Sequence, residues 1–381
     1  MKRIYIYVIT AFALLAGACS DNNLNDDAPV VPATPDIVIP EGAAEGELLI
    51  KFVPEMTEIL DRTMKTRAAG ASTRSGIPST DEVLSILGAY DFERVFPVDV
   101  RTEEKSREAG LHLWYLVRFD KNTDLKEAME RLSGLGEISK LQINPAIQRA
   151  YNPKKKPVPV SEAALNRMRT RAAADNGFKF NDALLPHQWG YINRGVYDFA
   201  TEKAPAIVGS DVNCEEAWEL CTGDPEIIVA VLDEGVMYTH EDLTANMWVN
   251  EKEQVGSDQD NDGNGYKGDR YGYNFVKDNG NISWQAAEDT GHGTHVAGTI
   301  AAVNGNNKGV CGIAGGDGTK KGVRIMSCQV FDGDGQVRMV NEARAIKYAA
   351  DNGAVILQCS WGYNSAYSNP MQGYMPGPAT D

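Results

Sequence analysis

Two short stretches carry residue types that could do acid–base chemistry. In Asp289-Thr290-Gly291-His292-Gly293-Thr294-His295-Val296-Ala297-Gly298-Thr299, a histidine sits in a glycine-bracketed turn and small residues run on as a helix. His292 then stands near a helix N-terminus, where the partial positive charge of unpaired N–H groups disfavours imidazolium. A neutral ring there is ready to accept a proton, as a general base must. A lone histidine in a turn more often packs than reacts, so a partner is needed. Residues 227–232 form a continuous apolar run, as suits a parallel strand buried on both faces. Asp233 follows at its carboxyl end, where open α/β sheets place their sites, although such an aspartate alone is about as often a turn or helix cap.

The string His292-Gly293-Thr294-His295-Val296-Ala297-Gly298-Thr299 resembles, without mismatch, the histidine motif of the subtilisin-like serine proteases, the subtilases. Asp233-Glu234-Gly235-Val236, followed by His240-Glu241-Asp242-Leu243, resembles their aspartate motif. The departure is Glu234, where most members carry Thr or Ser, which puts an extra carboxylate beside the pair. The resemblance implies an α/β fold with a doubly wound parallel sheet and an Asp, His, Ser triad in that chain order. Asp233 orients the ring and stabilises imidazolium, His292 is the general base, and a serine is the nucleophile. It further implies that Gly335, in the exposed 332–336 segment, pairs with substrate backbone, and that Ser360-Trp361-Gly362 lines the primary specificity pocket. Ser360 is thus not the nucleophile, and Gln358 stands where the family usually has Asn. Gln188, Asp242 and Asn306 match positions of a structural calcium site.

The resemblance spans residues 181–381. The family's Gly-Thr-Ser-type nucleophile motif and its oxyanion asparagine are not found before Asp381. The expectation is therefore a truncated subtilase domain whose serine lies beyond this chain. The alternative is an inactive product, or one acting through its N-terminal domain as a protease inhibitor. A zinc hydrolase on His292 and His295 is a distant third, since no H-E-x-x-H pattern or third ligand is present.

Elements upstream must position these residues. Strands are expected over 47–52, 92–96, 111–119 and 138–150, with helices over 81–87 and from the Asp124/Glu127 capping pair through Leu125, Ala128, Met129 and Leu132. That βαββαβ order is ferredoxin-like, and residues 64–76 read as an inserted loop. Between a signal and a subtilase motif, the 46–151 unit resembles the family's inhibitory prodomain, a partner in cis. Residues 152–180, with Lys154-Lys155-Lys156 and three arginines, read as an exposed linker and a candidate maturation site.

At the N-terminus, Lys2 and Arg3, an apolar run over 4–15 and Ala16-Gly17-Ala18-Cys19 read as an export signal resembling that of a lipoprotein. Cys19 would carry the lipid and anchor the protein to an outer membrane or cell surface, with the periplasm as the other exported location. Residues 20–45 read as a disordered tether. The net charge of 37 − 53 = −16 gives no electrostatic case for nucleic acid. Asp258, Asp260, Asp262, Asn264 and Asp269 alternate around a glycine turn as an oxygen-ligand calcium loop would, without the flanking helices of an EF-hand. Calcium is the expected metal, in a structural role, and no catalytic metal is expected. The five cysteines after Cys19 match no zinc spacing and read as structural, with Cys328 and Cys359 buried in strands.

Overall fold

Alternating apolar and polar residues in the first third of the chain build an antiparallel sheet. The computed structural model describes residues 37, 39, 43–67, 74–152, 154, 161, 163, 177–195, 205–285, 289–333, 338–362 and 374–376. All belong to one unit running from Ile37 to Asp381. The export signal, Cys19 and most of the expected tether and linker lie outside the described residues, as does Gly335. Strands β1 (Ala43–Phe52), β2 (Asp91–Arg94), β3 (Trp114–Arg118) and β4 (Ile138–Pro145) pair in the order β4-β1-β3-β2. That is the order of a βαββαβ sheet. A late strand, β11 (Tyr374–Pro376), adds to the outer edge of β4.

One face of this sheet, through Leu48, Ile50, Phe52, Tyr115 and Val117, packs under helices α1 (Thr57–Arg67), α2 (Pro78–Ile86) and α4 (Leu125–Ser133). Asp124 caps α4 by accepting from Lys126 N and Glu127 N. Glu127 turns instead to Arg131 one helical turn on. Helix α1 occupies part of the segment read as a loop, and the short α3 (Glu103–Glu108) was not expected. Residues 111–113 form a 3-10 turn rather than strand because Gly110 is left-handed (φ 67°). His112 is buried there, its Nε2 3.1 Å from Thr57 Oγ1.

The second sheet is parallel, with order β7-β8-β6-β9: β6 (Ile228–Glu234), β7 (Gly272–Asn274), β8 (Arg324–Phe331) and β9 (Ile356–Cys359). Every residue of β6 is buried. Val229 and Val231 face α6 (His292–Ala301), against Ala297 and Ala301. Ala230 and Leu232 face α7 (Met339–Asp351), against Ala345, Tyr348 and Ala349. Helices therefore cover both faces, as the continuous apolar run requires. On a flank, α5 (Cys214–Leu220) buries Trp218 against Phe180.

β9 is the edge strand, and Val355, Ile356 and Leu357 are 68%, 51% and 38% exposed. Cys328 is fully buried as expected, but Cys359 is exposed because it lies on that edge. The two sheets meet through α7: Met339, Val340 and Ala343 pack against Leu49, Val95, Phe96 and Leu116 on the second face of the antiparallel sheet. Arg344 reinforces the contact by donating to Val95 O at 2.6 Å and to Glu93 at 2.9 Å.

Candidate active site

The apolar strand β6 ends by delivering Asp233, fully buried, opposite the first residue of α6. His292 Nδ1 lies 3.0 and 2.9 Å from Asp233 Oδ1 and Oδ2. An ionised carboxylate only accepts, so Nδ1 carries the proton and Nε2 is left as the acceptor. The imidazole side chain is 26% exposed, and a cavity of about 1170 Å³ opens beside it toward Trp189, Tyr191 and Trp284. Among the described residues lining that cavity there is no serine or cysteine.

Glycines let strand and helix come this close. Gly291 is left-handed (φ 76°) and starts α6. A Cβ on Gly293 would lie 2.2 Å from Glu234 O, so only glycine lets the helix meet the strand there. Glu234 is also fully buried. Its Oε2 accepts from Thr290 N at 2.9 Å, Thr290 Oγ1 at 3.0 Å and His292 N at 3.3 Å. The departure from Thr or Ser therefore holds the turn before the histidine by its backbone.

The feature that sequence reasoning missed is what lies in the cleft. β4 ends at Pro145, and the strand expected to continue to 150 leaves the sheet. β5 (Gln148–Arg149) pairs antiparallel with β10 (Trp361–Gly362), Arg149 opposite Trp361 and Gln148 opposite Gly362. Ala150 N donates to Ser360 O at 2.8 Å. On the other side Ala146 bridges Arg338, and Arg149 Nη2 donates to Gly333 O at 2.7 Å. Tyr151 then lays its ring on His292, with centroids 3.6 Å apart and planes within 10°, and its hydroxyl donates to Asp233 Oδ1 at 3.2 Å. Burial, then the charges of Asp233 and Glu234, push the Tyr151 phenol up, so it stays a donor. The only sequence signal for this segment was the polar, proline-bearing stretch that follows it.

Ser360, Trp361 and Gly362 thus form a backbone edge that carries an added strand, and Trp361 Nε1 anchors that edge to Leu232 O at 3.0 Å. The cation-site candidates divide. Carboxylate oxygens of Asp262, Asp269 and the unanticipated Glu253 lie within 4.8 Å of one another. Asp258 is exposed and accepts from Gln259, while Asp260 accepts the backbone N–H groups of 263, 264 and 265. Asn264 donates to Asp269 at 2.8 Å. Burial, with further push from Asp262 and Glu253, raises the Asp269 carboxyl to about 6, against the pull of Tyr348 and Asn264 donors. Arg101, from the loop after β2, reaches Asp262 at 3.2 Å. At the other candidate site, Asp242 accepts from Asn306 Nδ2 at 2.7 Å and Val310 N at 3.0 Å, and Gln188 holds both backbone groups of Cys311. One loop, residues 306–311, joins all three predicted ligands.

Comparison with known proteins agrees with this geometry. Residues 224–378 match the subtilase family. Subtilisin-like protease 1 of Plasmodium vivax is 32% identical over 216 residues, 55% of this chain and 30% of that protein. Kexin of Saccharomyces cerevisiae is 28% identical over 238 residues, 62% of this chain and 24% of that protein. Fervidolysin from Fervidobacterium pennivorans, described as a keratinolytic enzyme related to subtilisin, aligns over 86% of this chain and 38% of its own at 20% identity and a TM-score of 0.45. The chain spans about a quarter to a third of the length of these curated relatives. Residues 224–378, where Asp233 and His292 are joined at the end of a parallel strand, thus match the subtilase family.

Proposed function

We propose that this chain carries two of the three catalytic groups of an exported serine endopeptidase, Asp233 and His292. The third group of that triad is a serine nucleophile. The observation that carries the reading is the 2.9 Å contact from Asp233 to His292 Nδ1, which turns Nε2 toward a cleft already holding an extended strand. Nε2 takes the serine proton as the hydroxyl attacks the peptide carbonyl, then returns it to the leaving amine. Asp233 stabilises the imidazolium formed in between. A peptide substrate lies antiparallel on residues 360–362, and Gly335 takes part in binding its backbone. Residues 46–151 act as the inhibitory prodomain. Their last turn occupies the cleft and Tyr151 covers His292, so peptide entry requires that segment to leave.

Calcium serves as a structural ion. Glu253, Asp262 and Asp269 bring three carboxylates together under burial, with Arg101 paired to Asp262, and a hard divalent ion offsets the remaining charge. Gln188, Asp242 and Asn306 would hold a second ion. When bound, calcium supplies folding stability and no step of catalysis. Cys19 anchors the exported protein to the membrane through lipid. The test of activity is hydrolysis of an unstructured protein by the enzyme purified from its native cells. His292→Ala should lower kcat by roughly 10⁴-fold or more. Undiminished hydrolysis by that variant would refute the assignment.

A further inference from the structure

The geometry points to Glu234 as a specificity residue that reads a cationic side chain on the bound peptide. This rests on the endopeptidase reading above and goes beyond it by naming the substrate class. Glu234 is buried at the base of the cleft, and its Oε2 is held by three donors from residues 290–292, so the carboxylate cannot turn away. Its Oε1 has no hydrogen-bond donor among the described residues. What faces it is the Arg149 guanidinium, with Nε at 3.3 Å, an ion pair without hydrogen-bond alignment.

Arg149 is part of the strand laid on β10, two residues before the ring that covers His292. A peptide substrate taking that path presents its own side chain to the same carboxylate oxygen. With a neutral side chain there, a buried carboxylate oxygen would face no donor, which disfavours the complex. With an acidic one, Glu234 and Asp233 would repel it. The pocket also distinguishes arginine from lysine. Arg149 lies over the Phe331 ring at 5.0 Å and donates Nη2 to Gly333 O, contacts that need a planar fork rather than a point charge.

The test is a set of internally quenched peptides with the sequence of residues 146–154, carrying Arg, Lys, Met or Glu at the place of Arg149, given to the protease purified from its native cells. Mass spectrometry locates the cut. The expected order of kcat/KM is Arg, Lys, Met, Glu, with Arg over Met on the order of 10- to 100-fold for one charged contact. In Glu234→Gln, whose amide oxygen still accepts from Thr290 and His292, the Arg-to-Met ratio should fall toward one and the Glu peptide should gain on the rest. Equal cleavage of the Arg and Met peptides by the wild type would overturn the specificity while leaving the endopeptidase standing. Cleavage of none of them, nor of an unstructured protein, would overturn both. The wild-type series decides even where Glu234→Gln does not fold.

Discussion

Glu342→Gln should stabilise the protein by an amount that grows with pH. Glu342 lies on α7, one turn before Ala345, on the side that faces the parallel sheet. It is 3% exposed, and its Oε1 has no hydrogen-bond partner among the described residues. Burial alone pushes its carboxyl from the ordinary 4.5 up to about 8. The unfolded chain therefore releases this proton near pH 4.5 while the folded protein keeps it to about pH 8. Stability attributable to the group is complete below pH 4.5 and is lost progressively as pH rises to 8. At about 1.36 kcal/mol per pH unit, the loss between pH 5 and pH 8.5 reaches roughly 4 kcal/mol, an upper value because water entry would soften it. Gln removes the titration and keeps the shape. Urea unfolding of both proteins at the two pH values gives the comparison directly, provided the slopes agree. The stability gap should be small at pH 5 and widen by about 2–4 kcal/mol at pH 8.5. A gap that does not change with pH would refute the reasoning.

Other perturbations follow from the same contacts. Gly293→Ala sets a Cβ 2.2 Å from Glu234 O, backbone against backbone. It should cost about 2–4 kcal/mol in thermal melts and abolish hydrolysis; a wild-type melt would contradict the close approach. Tyr151→Ala removes a stack worth about 1 kcal/mol and should make trypsin nicking at Arg149 several-fold faster, with unchanged rates counting against the docked tail. Excess EDTA should lower the melting temperature, whereas an unaltered transition would argue against both calcium sites. Cys19→Ser should move the protein from membrane to soluble fractions, and unchanged fractionation would sink the lipid anchor.

Much of the architecture was legible because each element answered a local demand. β6 had to be a buried strand since residues 227–232 offer no polar face, and α6 followed from small residues after a glycine turn. Leu113, Tyr115, Val117 and Phe119 all face the core, even though strand begins only at Trp114. Alternation fixes a face, while the left-handed Gly110 fixes where pairing starts. The break after Pro145 was not legible. A strand that changes partner keeps the same alternation, and only the edge at 360–362, over two hundred residues away, decides where Gln148 and Arg149 pair. The same limit hid Glu253, which joins Asp262 and Asp269 from outside the loop whose spacing drew attention. Glu234 was visible as a departure, but its backbone partners and Arg149 were not.

The central claim is that Asp233 and His292 activate a serine, and labelling of the native protein with a fluorophosphonate probe tests it most directly. The account predicts one phosphonylated serine, located by peptide mapping, and loss of that label in His292→Ala. A folded native protein that takes no label, or one labelled equally well without His292, would contradict it.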